Sequence, residues 1–208
     1  MIGRLRGGAG ALTLLLVTAC TAPQSTRIID TPGALPPRAE VASVPFFPQE
    51  AYYCGPAALA MSLNWSGLAE TPDSVASRVY TPGRRGTLAA DMVSAARRKG
   101  RLAVEVRGLD NLLAEVAAGH PVIVFQNLAL EWWPQWHFAV VIGYDLTSRE
   151  IVLHSGTTER LKTPLDVFER TWDRTGEWAL VTLPPDHLPA TADRQSLLLA
   201  AAGLEQAE

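Results

Sequence analysis

The chain of 208 residues has only two cysteines, Cys20 and Cys54, so at most one disulfide can form. Its four histidines are scattered, and neither a CxxC pair nor an HExxH run occurs. Metal sites of recognisable ligand spacing are therefore not expected, and no cofactor is implied. Charged residues make up 19% and the net charge is -3, with no basic run, which argues against a nucleic-acid partner. Gly83-Arg84-Arg85-Gly86 lacks the strand–loop–helix setting of a phosphate-binding loop. Internal repeats are absent. The apolar run Ala9 to Val17 is too short to be a good membrane span. What remains is material for one domain of ordinary size, with a hydrophobic share of 48% to build its core.

Arg4 and Arg6 ahead of Ala9–Val17 form a positive segment followed by an apolar one, the layout of a targeting signal. Val17-Thr18-Ala19-Cys20 closes it and resembles a bacterial lipobox. That resemblance implies cleavage after residue 19, acyl chains on Cys20, and a membrane-anchored protein of the cell envelope. Thr21 in place of Asp resembles the outer-membrane sorting pattern, which would face the protein toward the periplasm. Loss of Arg4 and Arg6 would take the net charge from -3 to about -5. A lipidated Cys20 leaves Cys54 without a partner, a free thiol in an oxidising compartment.

Residues 20–40, with Pro23, Pro32, Gly33, Pro36 and Pro37, are expected to form an extended tether. Residues 41–185 are the expected folded domain. Its first strand is expected at Val41–Phe47. Helices follow from Cys54, from Pro72 with Thr71 as N-cap, from the residue after Thr87, and from Leu109. Leu102–Val106, Pro121–Phe125, His137–Tyr144, Glu150–His154 and Trp178–Leu183 are the expected strands, with a short helix at Pro164–Thr171. A C-terminal helical tail, residues 186–208, lacks a clear polar cap. Helices early and strands late give an α+β class, helices packed on an antiparallel sheet.

Cys54 stands at the head of a helix-forming run, beside unpaired backbone N–H groups and the positive end of the helix dipole. Both favour the thiolate, the nucleophilic form. Gly55 is expected to leave room for a substrate carbonyl. Of the histidines, His137 heads a buried strand just after an aromatic loop and is the best base. An imidazole there can take the thiol proton and later protonate a leaving amine. Gln49 can offer its amide, with the Cys54 backbone N–H, to a developing oxyanion. A third group should orient the imidazole. Asp145 lies eight residues along the same strand, roughly 26 Å away, and cannot reach it. His154, Ser155 and Asn127 are the candidates, and His154 also reads as an ordinary sheet residue. Trp133 and Trp136 are candidates for one wall of a substrate groove.

Gln49-x4-Cys54-Gly55-Pro56 followed by His137-Phe138-Ala139-Val140-Val141-Ile142-Gly143-Tyr144-Asp145 resembles the C39 (bacteriocin-processing) peptidases and their C39-like branch, over about residues 41–184. The resemblance implies a papain-like fold and thiol proteolysis of a peptide or protein substrate, with Cys54, His137 and Gln49 in the catalytic roles. Family members usually carry an Asp-Pro pair after the return strand, where this chain has His154-Ser155-Gly156. Two other readings stay open: a binding module on an impaired peptidase scaffold, and an amidase that cuts cell-wall peptides.

Overall fold

A computed structural model describes residues 22–49, 52–84 and 86–207. Cys20 and the targeting segment lie outside them. Alternation along the central strands fixes the architecture. In β5 (Val122–Asn127), Val122 and Val124 join one buried cluster while Ile123 joins another. In β6 (Trp136–Asp145), Ala139 and Val141 belong to the first cluster and Phe138, Val140 and Ile142 to the second. Side chains two apart share a sheet face. An uninterrupted apolar run in both strands therefore means that both faces are covered.

The covering helices sort accordingly. α2 (Cys54–Trp65), α3 (Pro72–Val79) and α4 (Ala89–Arg98) pack on one face. α1 (Pro23–Asp30), α5 (Leu109–Ala117), α6 (Leu165–Asp173) and α7 (Arg194–Glu205) pack on the other. The sheet between them is antiparallel throughout, in the order β4 (Leu102–Val106), β9 (Ala179–Leu183), β5, β6, β7 (Glu150–Ser155), β8 (Thr158–Pro164). β1 (Arg38–Glu40) pairs with the far end of β6. A separate two-stranded ribbon joins β2 (Tyr80–Thr81) and β3 (Gly86–Thr87). The class is α+β, as the order of the patterns in the sequence implies.

α2 is the central helix. Every residue from Gly55 to Leu63 is buried, so it is apolar all round rather than amphipathic. It meets the sheet through a buried hydroxyl pair, Ser62 Oγ to Thr182 Oγ1 at 2.7 Å. Gly55 is required here for packing. A Cβ at that position would stand 2.3 Å from Thr87 Oγ1 and 2.4 Å from Thr87 Cβ. Gly55→Ala is therefore expected to cost about 1–3 kcal/mol as an overpacked site. Adding Thr87→Gly should restore part of the lost melting temperature in thermal unfolding; no recovery would show that the strain lies elsewhere.

Several sequence expectations are corrected. Residues 22–40 do not form a tether: Pro23 opens α1, and Ile28 is fully buried. The first orphan N–H groups of α1 are met by a buried carboxylate 145 residues away, Gln24 N to Glu169 Oε1 at 2.9 Å and Ser25 N to Oε2 at 2.7 Å. Residues 41–47 are not a strand, because the chain leaves the sheet after β1 to run toward α2. Thr87 pairs in β3 with Tyr80, and α4 begins two residues later behind Leu88. α7 does have a polar cap, Asp193 Oδ1 accepting from Ser196 N at 2.7 Å. Ala200 on that helix is buried against the sheet, and buried Glu115 holds the incoming segment through Ala190 N and Thr191 N. No described helix is long and apolar enough to cross a membrane.

Candidate active site

Cys54 is the first residue of α2, half-buried and a free thiol. The loop that delivers it turns through Tyr52 at φ 74°, a conformation that costs a non-glycine residue on the order of 1 kcal/mol. The thiol lies against the backbone N–H of Phe138, the residue after His137. α2 thus brings Cys54 to the start of β6, where His137 sits.

His137 is half-buried, and its Nε2 meets Ser155 Oγ at 2.9 Å. Ser155 ends β7, the return strand, so the β6–β7 hairpin places it behind the imidazole. With Nε2 engaged, Nδ1 is the ring nitrogen left for a thiol proton. The other two orienting candidates are used elsewhere. His154 is buried, with Nε2 at 3.2 Å from Val44 O and Nδ1 accepting from Arg160 N at 3.2 Å. It is a satisfied sheet residue. Asn127 organises the β5–β6 loop, its Oδ1 accepting from Ala129 N at 3.1 Å and Gln135 N at 2.9 Å.

Gln49 is 6% exposed, and neither Nε2 nor Oε1 of its amide has a partner among the described residues. Its backbone N–H donates to Gly156 O at 3.0 Å, next to Ser155. A buried amide normally finds partners. One held without them is free to donate to a ligand. Trp136 stacks on Phe125, centroids 5.5 Å apart, immediately before His137, and remains 53% exposed. Trp133 lies farther out, 73% exposed, bridged to Leu130 in the same loop.

Electrostatics correct one expectation. Burial pushes the Cys54 thiol up, and the backbone N–H groups of Phe138, Gly55 and Cys54 itself pull only partly against it. Burial also drives His137 down to about 4. The packed environment of the helix start outweighs its dipole, because desolvation penalises whichever form is charged. At neutral pH the resting pair is thiol and imidazole, not thiolate and imidazolium. Alkylation of Cys54 by iodoacetamide is then expected to accelerate through and beyond the ordinary thiol range, about 8.5. Any reaction that needs His137 as a base is expected to hold down to weakly acidic pH. It should fail only as the pH drops through about 4, where the ring protonates. An alkylation rate flat to pH 5 would mean an ion pair instead.

A model of the "Peptidase_C39 like" family matches residues 41–180. The chain belongs to this family. No curated protein matches the chain. Among solved structures, a C39-like peptidase from Bacillus anthracis is similar at 20% identity and a TM-score of 0.58, over 70% of this chain and 97% of that one. The peptidase domain of Streptococcus ComA, a bi-functional ABC transporter involved in a quorum-sensing pathway, is 20% identical with a TM-score of 0.56, over 68% and 99%. A double-glycine-motif protease from an AMS/PCAT transporter, in complex with its leader peptide, is 24% identical with a TM-score of 0.52, over 69% and 93%. These likenesses concern the fold. The C39-like domain of this chain is flanked by α1 before the matched span and α7 after it, both packed into one core.

Proposed function

We propose that this C39-like chain is a cysteine peptidase that hydrolyses peptide bonds with Cys54 as nucleophile and His137 as base. The observation that carries the reading is a free thiol at the head of α2, set against the start of the strand that bears His137. The buried amide of Gln49, unpartnered among the described residues, supports it. In this scheme Nδ1 of neutral His137 takes the thiol proton as the sulfur attacks the peptide carbonyl. The oxyanion is held by the Cys54 backbone N–H and Gln49 Nε2. The imidazolium protonates the leaving amine, and water, deprotonated by the same ring, releases the second product from the thioester. Ser155 orients the ring by accepting from Nε2–H. Trp136 supplies the near wall of the substrate groove and Trp133 its outer rim. The leader-peptide complex of the double-glycine protease is consistent with a peptide substrate for this fold.

The chain is proposed to be held on the bacterial envelope through acyl chains on Cys20, at the outer membrane and facing the periplasm. The lipobox-like sequence is the support for this.

A second reading rests on one observation, the hydroxyl of Ser155 where a carboxylate would stabilise an imidazolium better. On that reading the domain binds peptides without cutting them. Cys54→Ala separates the two. The peptidase reading expects peptide cleavage to disappear with peptide binding retained. Wild-type protein that binds a peptide library but releases no new amine termini would establish the module instead.

A further inference from the structure

The β5–β6 hairpin carries a cluster of exposed apolar side chains: Leu128, Leu130 and Trp132, which is 78% exposed, with Trp133 beside them. The hairpin is not a loose loop. Leu130 and Trp133 pair across it, and Leu128 N donates to Gln135 O at 2.9 Å. Asn127 ties its two arms, and Arg174 Nη1 donates to Asn127 O at 3.2 Å and Ala129 O at 2.7 Å. A braced hairpin that exposes this many large apolar side chains marks a contact surface.

The chain enters the fold at the same end of the molecule. Gln24, in the first turn of α1, bonds the carboxylate of Glu177 through Nε2, and its Oε1 accepts from Leu109 N at 2.8 Å. Glu177 belongs to the short segment after α6 that also holds the hairpin. Arg174 grips the hairpin's first carbonyls, and Thr175 Oγ1 donates to Phe125 O at 2.6 Å. Only Thr21 and Ala22 separate Cys20 from Pro23, the first residue of α1. Three residue steps span at most on the order of 11 Å. An acylated Cys20 would have no spacer with which to hold the domain away from a bilayer.

We propose that the tip of this hairpin, Leu130 and Trp132 above all, rests in the headgroup layer of the membrane that carries the Cys20 anchor. The inference rests on the anchor reading given above. Tryptophan suits that layer, since its apolar ring and polar N–H are both accommodated there. Glu131, exposed between Leu130 and Trp132, limits the depth, because its charge stays in the headgroups and does not enter hydrocarbon. Two contacts, a short anchor and a rigid tip, set the orientation of the domain. His137, one residue beyond Trp136, then lies near the bilayer surface. The substrate class that follows is peptide segments presented along that surface, such as stretches next to another protein's membrane anchor.

The test uses the full chain, made in a bacterial host, extracted in detergent and reconstituted into phosphatidylethanolamine–phosphatidylglycerol vesicles with acyl chains brominated near the headgroup. Intact mass reports acylation of Cys20, and tryptophan quenching reports hairpin depth. Expected are an acylated chain, clear quenching, and quenching smaller by about twofold or more in the Leu130→Ser/Trp132→Ser double variant. Cleavage of a water-soluble peptide should be the same for both proteins. Acylated, vesicle-bound protein without quenching overturns the hairpin contact and leaves the anchor standing. A chain that carries no acyl mass and stays in the supernatant overturns both. A double variant with unchanged quenching but a raised KM for the soluble peptide assigns the hairpin to substrate and overturns the inference as well.

Discussion

Replacing His137 with alanine is expected to lower the rate of peptide cleavage by about 10²–10⁴-fold, the contribution of a positioned base. The fold should survive. His137 is half-buried at the start of β6, and the alanine keeps every backbone pairing of that strand with β5 and β7. The substitution leaves the Ser155 hydroxyl without its ring partner, which costs at most about 1–3 kcal/mol and less if water enters. Because the resting thiol is protonated, loss of His137 takes away the base assigned to it. The variant should therefore regain rate as the pH rises toward the thiol's own ionisation, giving a profile steeper on the alkaline side than the wild type. Kinetics from pH 5 to 10 alongside circular dichroism check both points. A variant with near wild-type activity would remove His137 from the mechanism.

The second large effect is expected at Gln49. Gln49→Ala should reduce kcat by about 10²–10³-fold, the range for loss of one oxyanion donor, with little change in KM. Its effect on stability should be small or favourable. The amide makes no hydrogen bond among the described residues, so removing it breaks none of those and relieves a buried group that none of them satisfies. This pairing of outcomes separates a catalytic role from a structural one. A structural glutamine would lower the melting temperature and affect turnover only through unfolding. Thermal unfolding and steady-state kinetics on one preparation give the answer.

The core of this architecture was legible because its signals are local. Pro56 and the alanine-rich run after Cys54 specify a helix start. The unbroken apolar residues of β5 and β6 specify central strands, and the turn at Asp145–Ser148 specifies their hairpin partner. The placement of Cys54 against the start of β6 follows from these elements. What was not legible depends on distant partners. α1 has Ile28 as its only fully buried large apolar residue, and its N-terminus is completed by Glu169 of α6, which no local pattern announces. β8 is an edge strand with mostly exposed side chains, so it lacks the alternation that marks the others. The need for Gly55 comes from Thr87, a residue of the β2–β3 ribbon that packs on the head of α2. Choosing Ser155 among three candidates needed the register of β7 on β6, which a bulge between Val141 and Gly143 shifts by one position.

Protonation was the least legible property. A helix N-terminus lowers a thiol pKa when the group is solvated. Here the buried shell around Cys54 reverses the sign. The chemistry expected of the site is then proton transfer to the imidazole during attack, without a thiolate formed beforehand.

The most direct test is acid-quenched incubation with a peptide substrate, followed by mass spectrometry of the segment that contains Cys54. The expected result is a transient acyl mass on Cys54 as a thioester, absent in Cys54→Ala and much slower to form in His137→Ala. Cleavage that proceeds with no acyl group on Cys54, or that persists in Cys54→Ala, would contradict the assignment of the nucleophile.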